Sequence, residues 1–236
     1  MQLFRLFSFI QSNIMEDGIE NFARELQKRI DHGLPGIDAQ RLMAPEFGID
    51  KRFLKEVALN ARPGAVLILF YPDDDGIRFP LIQRPTYNGA HSGQIGLPGG
   101  KKDPDDDNLT ATALRETEEE IGVNRNQIRI IGALTPLFIP ASNFNILPVA
   151  GYLPFKPEFV PDAFEVQSVI TAHVGELLET PEPLRKMIRI SSGMEIRAPY
   201  YSILGHVVWG ATAMILSELL CLLKKRDAET APPPQP

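Results

Sequence analysis

The spacing of apolar residues predicts most of the elements. In residues 16–31, EDGIENFARELQKRID, Ile19, Phe22, Leu26 and Ile30 recur at helical intervals on one face, and His32-Gly33 with Pro35-Gly36 ends that helix. Residues 50–59 predict a second, shorter helix before Pro63-Gly64. The run AVLILFYP reads as a strand bounded by Pro-Gly and by the acidic turn Asp73-Asp74-Asp75-Gly76. FPLIQRP follows at hairpin distance, so the two runs are expected to pair. A loop from Tyr87 to Gly100 carries five glycines and leads to another helix. Beyond it, IRIIGALTPLFI, ILPVAGYLPF and EVQSVITAHV predict strands, and SILGHVVWGATAMILSELLCLL a strand and a long closing helix. No internal repeat is present, and the tail AETAPPPQP is Pro-rich, polar and expected to be disordered. Mixed strands with a central and a terminal helix predict a layered α/β (α+β) domain.

Two apolar stretches bear on membranes. HVVWGATAMILSELLCLL could span a bilayer by length, yet Glu218 lies inside it. Val208, Ala211, Ile215, Leu219 and Leu222 fall on one stripe, which predicts a core-packing helix. At the N-terminus, Arg5 interrupts the run MQLFRLFSFIQSNIM and no small-residue cleavage site follows. Met15 precedes a more ordinary acidic helix start, so translation from Met1 and from Met15 are both open, with residues 1–14 an upstream extension in the second case. Neither stretch argues for a membrane.

At 236 residues and 44% hydrophobic content the chain can bury a sizeable core, and its formal charge of −6 gives nucleic-acid binding no electrostatic support. The single cysteine, Cys221, excludes an internal disulfide and fits a reducing compartment, most simply the cytoplasm. Set in LSELLCLL, it reads as core filler rather than a nucleophile.

The chemistry concentrates in residues 99–123, GGKKDPDDDNLTATALRETEEEIGV. At about 100° per residue, Leu114, Thr117 and Ile121 share one face of this helix, and Glu116, Glu119 and Glu120 cluster on the opposite side. Two carboxylates ~4 Å apart repel by ~4 kcal/mol at an effective dielectric of 20. A hard divalent cation removes that repulsion, and oxygen-only ligands suit Mg²⁺ or Mn²⁺. Because Mg²⁺ usually combines one or two carboxylates with substrate phosphates, the pattern points to phosphate chemistry. A solvated acidic face is the bland alternative, and it leaves Gly99, Gly100 and Arg115 unaccounted for. Asp103 and Asp106 read either as supports of metal-bound water or as acceptors for the helix's first N–H groups.

The segment Arg115–Val123 resembles REUxEExGU, the second half of the Nudix box, with Thr117 at a usually aliphatic position. The first half departs from that pattern: six residues from Gly100 stands Asp106, where a Glu is usual, and Arg115 lies nine further, one more than usual. Upstream, LIQR (Leu81–Arg84) and HSGQIGLPGGKKDPDD (His91–Asp106), followed by TALRE (Thr112–Glu116), resemble the coenzyme A pyrophosphatase branch of the Nudix hydrolases. Leu97 and Gln83 replace the usual Phe and Thr; the likeness covers roughly residues 35–225.

This resemblance implies the Nudix fold, a mixed β-sheet sandwiched between helices, over 35–225. Residues 1–34 would then be an N-terminal helical extension and 226–236 a tail. It implies metal-dependent hydrolysis of coenzyme A, or a derivative, to 3′,5′-ADP and 4′-phosphopantetheine. Glu116 and Glu120 would ligate Mg²⁺ or Mn²⁺, Glu119 would serve as ligand or base, and Arg115 would orient a box carboxylate. Glu165, in DAFEVQSV, is a candidate base from a later loop; Arg84, His91, Gln94, Gly99 and Gly100 are candidate substrate-side residues. Two other readings stay open: a Nudix hydrolase of ADP-ribose or NADH, and a non-catalytic nucleotide-binding module. The expected partner is a small molecule, and a homodimer is compatible with the fold.

Overall fold

A computed structural model describes residues 18–46, 60–86, 93–180, 183–190 and 193–224. The expected helix over 50–59, residues 1–14 and the Pro-rich tail lie outside the described residues.

The centre of the molecule is β1 (Arg62–Asp73), whose side chains alternate between two cores. Ala65, Leu67, Leu69 and Tyr71 enter one apolar cluster, and Ile68 and Phe70 enter the other. A strand buried on both faces reads as a continuous apolar run, which is the form AVLILFYP takes. β2 (Gly76–Gln83) pairs antiparallel with β1 through Tyr71↔Arg78, the expected hairpin. β3 (Ile95–Gly96) and β4 (Gly99–Lys101) are short strands within the glycine-rich loop, where a strand pattern is too brief to read.

The central helix, α3, spans Leu109–Ile121; before it, α1 covers 18–32 and α2 covers Gly36–Arg41. Then come β5 (Arg129–Ala133), β6 (Leu137–Ile139), β7 (Phe144–Tyr152), β8 (Ser168–His173) and α4 (Val174–Glu179). β9 (Leu184–Arg189), β10 (Glu195–Ile203) and β11 (His206–Trp209) form a separate three-stranded antiparallel sheet, and α5 (Gly210–Lys224) closes the chain. Among the described residues the main sheet has eight strands and is mixed: β1 runs parallel to β7, from Arg62↔Phe144 to Phe70↔Tyr152, and antiparallel to β2 and β4.

Helices cover both faces of this sheet. On one side α1 and α5 pack together. Ile19, Phe22 and Leu26 are buried as the helical spacing predicts, and Phe22 meets Phe70 edge-on at 4.9 Å. Arg29 donates to the carbonyls of Leu222 (2.9 Å) and Leu223 (2.6 Å), placing a cation at the C-terminal end of α5. On the other side α3 buries Ala113, Thr117 and Ile121, at i, i+4 and i+8, while Leu114 is only partly covered.

Thr117 can occupy a position where an aliphatic residue is usual because its hydroxyl donates to the Ala113 carbonyl at 2.7 Å, so no polar atom is left unpaired.

Helix α5 is buried on nearly every side, which explains its membrane-like composition. Val208 belongs to β11 rather than to the helical stripe. Glu218 is fully buried. Its carboxylate accepts from Gly36 N at 3.1 Å, Gln40 Nε2 at 3.0 Å and Thr135 Oγ1 at 2.6 Å, fastening α2 and the β5–β6 connection to α5. Among the described residues no helix is long and apolar enough to cross a membrane.

Candidate metal and diphosphate site

The site forms where β4 passes under α3. Gly99 and Gly100 pair with Val66 and Ala65 of β1, and Leu67 N donates to the Pro98 carbonyl at 2.9 Å. Gly99 has φ +148°, and a Cβ there would run into the Ala65 carbonyl and the Val66 backbone, so only glycine fits. At Gly100 a Cβ would stand 2.5 Å from Glu116 Oε2; the missing side chain is what gives the Glu116 carboxylate its place against the strand.

Helix α3 starts from Asn108, whose side chain accepts from Ala111 N at 3.0 Å, and it ends at Gly122. Capping thus falls to Asn108 rather than to either aspartate. Asp106 instead receives Arg115 in a two-pronged ion pair, Nε to Oδ1 and Nη2 to Oδ2, both 3.0 Å. It also accepts from Asp103 N at 2.8 Å and Thr112 Oγ1 at 2.9 Å. These bonds, led by Arg115, hold the Asp106 carboxyl well below the usual carboxylate range. The longer loop and shorter acid of the first half-box therefore still deliver a carboxylate to the arginine.

Arg115 Nη1 donates to Glu119 Oε2 at 2.7 Å, and Nη2, shared with Asp106, also lies 3.0 Å from Glu116 Oε1 and 3.1 Å from the Lys101 carbonyl. One guanidinium thus sets the position of two glutamates and the end of β4.

Glu120 is 1% exposed and accepts from Gly99 N at 2.7 Å. Arg84 Nη2 lies 3.5 Å from Glu120 Oε1 and donates to the Gly99 carbonyl at 3.1 Å, so Arg84, Gly99 and Glu120 form one connected group. Burial pushes the Glu120 carboxyl up to about 7, against the pull of Arg84 and the Gly99 N–H, with Glu116 and Glu165 adding to the rise. Glu116 is raised too, chiefly by burial, with Arg115 opposing and Glu119 and Glu165 reinforcing.

Glu165 is brought to these acids by a tied loop. Val160 N donates to Ile121 O and Asp162 N to Glu120 O, each at 3.0 Å, so the loop satisfies the last carbonyls of α3. Asp162 Oδ1 then accepts from Phe164 N (2.7 Å) and Glu165 N (3.2 Å), and Val166 N donates to the Asp162 carbonyl at 2.8 Å.

Glu116, Glu120 and Glu165 thus share one electrostatic neighbourhood, while Glu119, with its side chain 57% exposed, turns toward Arg115. Among the described residues no group of three or more His, Cys, Asp or Glu converges as a preformed metal cluster. The donor set nonetheless fits a hard cation that takes one or two carboxylates and completes its shell with water and phosphate. Burial has raised both carboxyls, and a cation would restore their charged forms. Gln94 adjoins the group through its carbonyl, which accepts from Arg84 N at 3.0 Å; His91 lies outside the described residues. The sequence reading missed the clamp role of Asp106 and the loop-setting role of Asp162, both visible only once the chain is folded.

A model of the NUDIX domain matches residues 61–163, the span from β1 through the loop that leads to Glu165. The chain is 35% identical over 159 residues to "Nudix hydrolase 15, mitochondrial" of Arabidopsis thaliana, covering 64% of this chain and 55% of that one. It thus spans about half the length of that relative. It is 31% identical over 140 residues to "Uncharacterized Nudix hydrolase NudL" of Photorhabdus laumondii, covering 59% of this chain and 73% of the relative. Among solved structures it is similar to the Nudix domain of Shewanella oneidensis NrtR complexed with ADP ribose, at 20% identity, 58% and 88% coverage and a TM-score of 0.41. It is also similar to a Caenorhabditis elegans Ap4A hydrolase binary complex, at 22% identity, 46% and 77% coverage and a TM-score of 0.40. With the NUDIX model matched over residues 61–163 and a relative 31% identical and matched over nearly three quarters of its length, the chain belongs to the Nudix hydrolase family.

Proposed function

We propose that this protein hydrolyses the diphosphate linkage of coenzyme A or a derivative, releasing 3′,5′-ADP and 4′-phosphopantetheine or its acyl form. The observation that carries the hydrolytic part is the joining of buried Glu120 to Gly99 and Arg84, beside Glu116 and Glu165. Nudix hydrolases generally use divalent cations. Glu116 and Glu120 are the residues to hold Mg²⁺ or Mn²⁺, which when bound neutralises diphosphate charge and lowers the pKa of water.

Arg84, at the rim of the site with its side chain 30% exposed, is placed to pair with a diphosphate oxygen. Glu165 accepts the proton of the attacking water, whose oxygen forms the new P–O bond as the anhydride P–O bond breaks and the second phosphate leaves. Glu119 is the alternative base, and Arg115 positions Glu116. The choice of coenzyme A rests on the upstream residues LIQR and HSGQIGLPGG around Arg84 and Gln94.

The test is to incubate the full chain with Mg²⁺ or Mn²⁺ and coenzyme A, ADP-ribose or NADH separately, and to resolve the products by chromatography. Cation-dependent 3′,5′-ADP from coenzyme A, formed faster than products from the others, is expected. Cleavage of ADP-ribose or NADH with coenzyme A intact would overturn the substrate and leave the hydrolytic chemistry standing.

A further inference from the structure

Phe164 is 91% exposed, the most exposed of the large apolar side chains described. Looseness of its loop does not explain this. The segment is tied to the end of α3 by Val160 N and Asp162 N and to β2 by Gln167 N, which donates to the Gln83 carbonyl at 2.8 Å. Phe159 and Val166, on either side of Phe164 in the same segment, both pack into the α3-side core.

Between those anchors Asp162 holds the backbone N–H groups of Phe164 and Glu165 with a single carboxylate oxygen. Phe164 N is the shorter of the two bonds, at 2.7 Å. The fold thus holds a phenyl ring in water at the apex of a pinned turn, one residue before the acid that shares the electrostatic neighbourhood of Glu116 and Glu120. Leaving such a ring exposed forfeits hydrophobic stabilisation, and a ligand that covers it recovers that free energy.

We propose that Phe164 is a positioning and specificity residue that stacks on the nucleobase of the substrate. The inference rests on the reading of the site as one for nucleoside diphosphate derivatives. A flat π-system suits an exposed phenyl ring, and stacking of this kind tolerates any base. The turn holds Phe164 one residue before Glu165, the base in the reading above, and Asp162 N ties it to the Glu120 carbonyl at 3.0 Å. Binding energy gathered at the base then orients a reaction occurring at the phosphates.

The experiment compares binding of ADP and of inorganic pyrophosphate, each with Mg²⁺, to the native full-length chain and to its Phe164→Ala and Phe164→Trp variants by titration calorimetry. Phe164→Ala should weaken ADP by about tenfold and leave pyrophosphate unchanged, and Phe164→Trp should restore ADP binding. Equal affinity of native and Phe164→Ala for ADP would overturn the proposal. So would equal weakening of both ligands, failure of the native chain to bind ADP, or a change in sedimentation without a change in ADP binding. Loss of the hydrolytic reading would show separately, as full activity in a Glu120→Gln variant.

Discussion

The carboxylate of Glu120 accepts the backbone N–H of Gly99 at 2.7 Å inside the protein, and this bond joins the acidic helix to the glycine-rich strand beneath it. Gly99 is held at φ +148° with no room for a Cβ. Replacing Gly99 with Ala combines backbone strain with overpacking against β1, and should cost about 2–4 kcal/mol in urea unfolding. Cation-dependent hydrolysis should fall with it, because Glu120 loses its fixed partner. An unchanged unfolding midpoint would contradict this account of the strand.

Arg115 reaches Asp106, Glu116 and Glu119 with one planar fork. Lysine keeps the charge and loses the fork. Arg115→Lys should therefore lower stability by about 1–3 kcal/mol and weaken Mn²⁺ binding or turnover by roughly 10–100-fold, as loss of a ligand-orienting partner does. Calorimetric titration with Mn²⁺ alongside urea melts separates the two effects. Native-like Mn²⁺ affinity in the variant would show that Arg115 does not position the glutamates.

The Glu120 carboxyl, pushed up to about 7 by burial, makes stability depend on pH. The folded state holds this proton more tightly than the unfolded chain. The contribution is therefore full below the ordinary glutamate value of 4.5 and is lost as pH rises toward about 7. In chelator-treated protein the loss should amount to at most about 3 kcal/mol between those limits. Saturating Mg²⁺ should reduce it, and Glu120→Gln should remove it. Parallel pH profiles for native and variant protein would rule out Glu120 as the source.

Glu218 is a second buried carboxylate with a different task. It accepts from Gly36 and Gln40 of α2 and from Thr135, two segments distant in sequence, and lies far along the chain from the box. Glu218→Leu leaves those donors unpaired and should cost about 3 kcal/mol or more, while activity per folded molecule stays close to native. Thermal melts and rates measured at a temperature where both proteins remain folded would check this. A stable variant lacking activity would relocate Glu218 into the catalytic machinery.

Much of the fold is legible in the chain because its signals are local. Ile19, Phe22 and Leu26 recur at helical spacing and are buried, and the β1–β2 hairpin announces itself by two apolar runs around Asp73–Gly76. β3 and β4 escaped because two or three residues, largely glycine, carry no periodicity. β9 escaped because LRKMIR is mostly exposed and has no buried face to pattern it. Val208 was drawn into the α5 stripe because an apolar strand running straight into a buried helix has no change of composition at the junction.

The candidate site stands out in the sequence where like charges crowd, at Glu116, Glu119 and Glu120. The wheel placed all three together, whereas Arg115 draws Glu119 outward into solvent and packing buries Glu120 beside Gly99. Spacing along a helix gives direction, and partners, from the same helix for Glu119 and from β4 for Glu120, decide where each carboxylate ends. The contribution of Asp106 depends on a tertiary ion pair across nine residues of loop and helix, and that of Asp162 on a turn built against the end of α3. Neither has a local signature.

The most direct test of the central claim is the rate of coenzyme A hydrolysis by native protein and Glu120→Gln across a Mn²⁺ titration. Glutamine keeps an oxygen for the Gly99 N–H and removes the charge. Cation-dependent 3′,5′-ADP formation by the native protein is expected, with a fall of at least about 100-fold in the variant, the scale of losing one strong transition-state interaction. A variant that turns over at the native rate with the same Mn²⁺ dependence would contradict it.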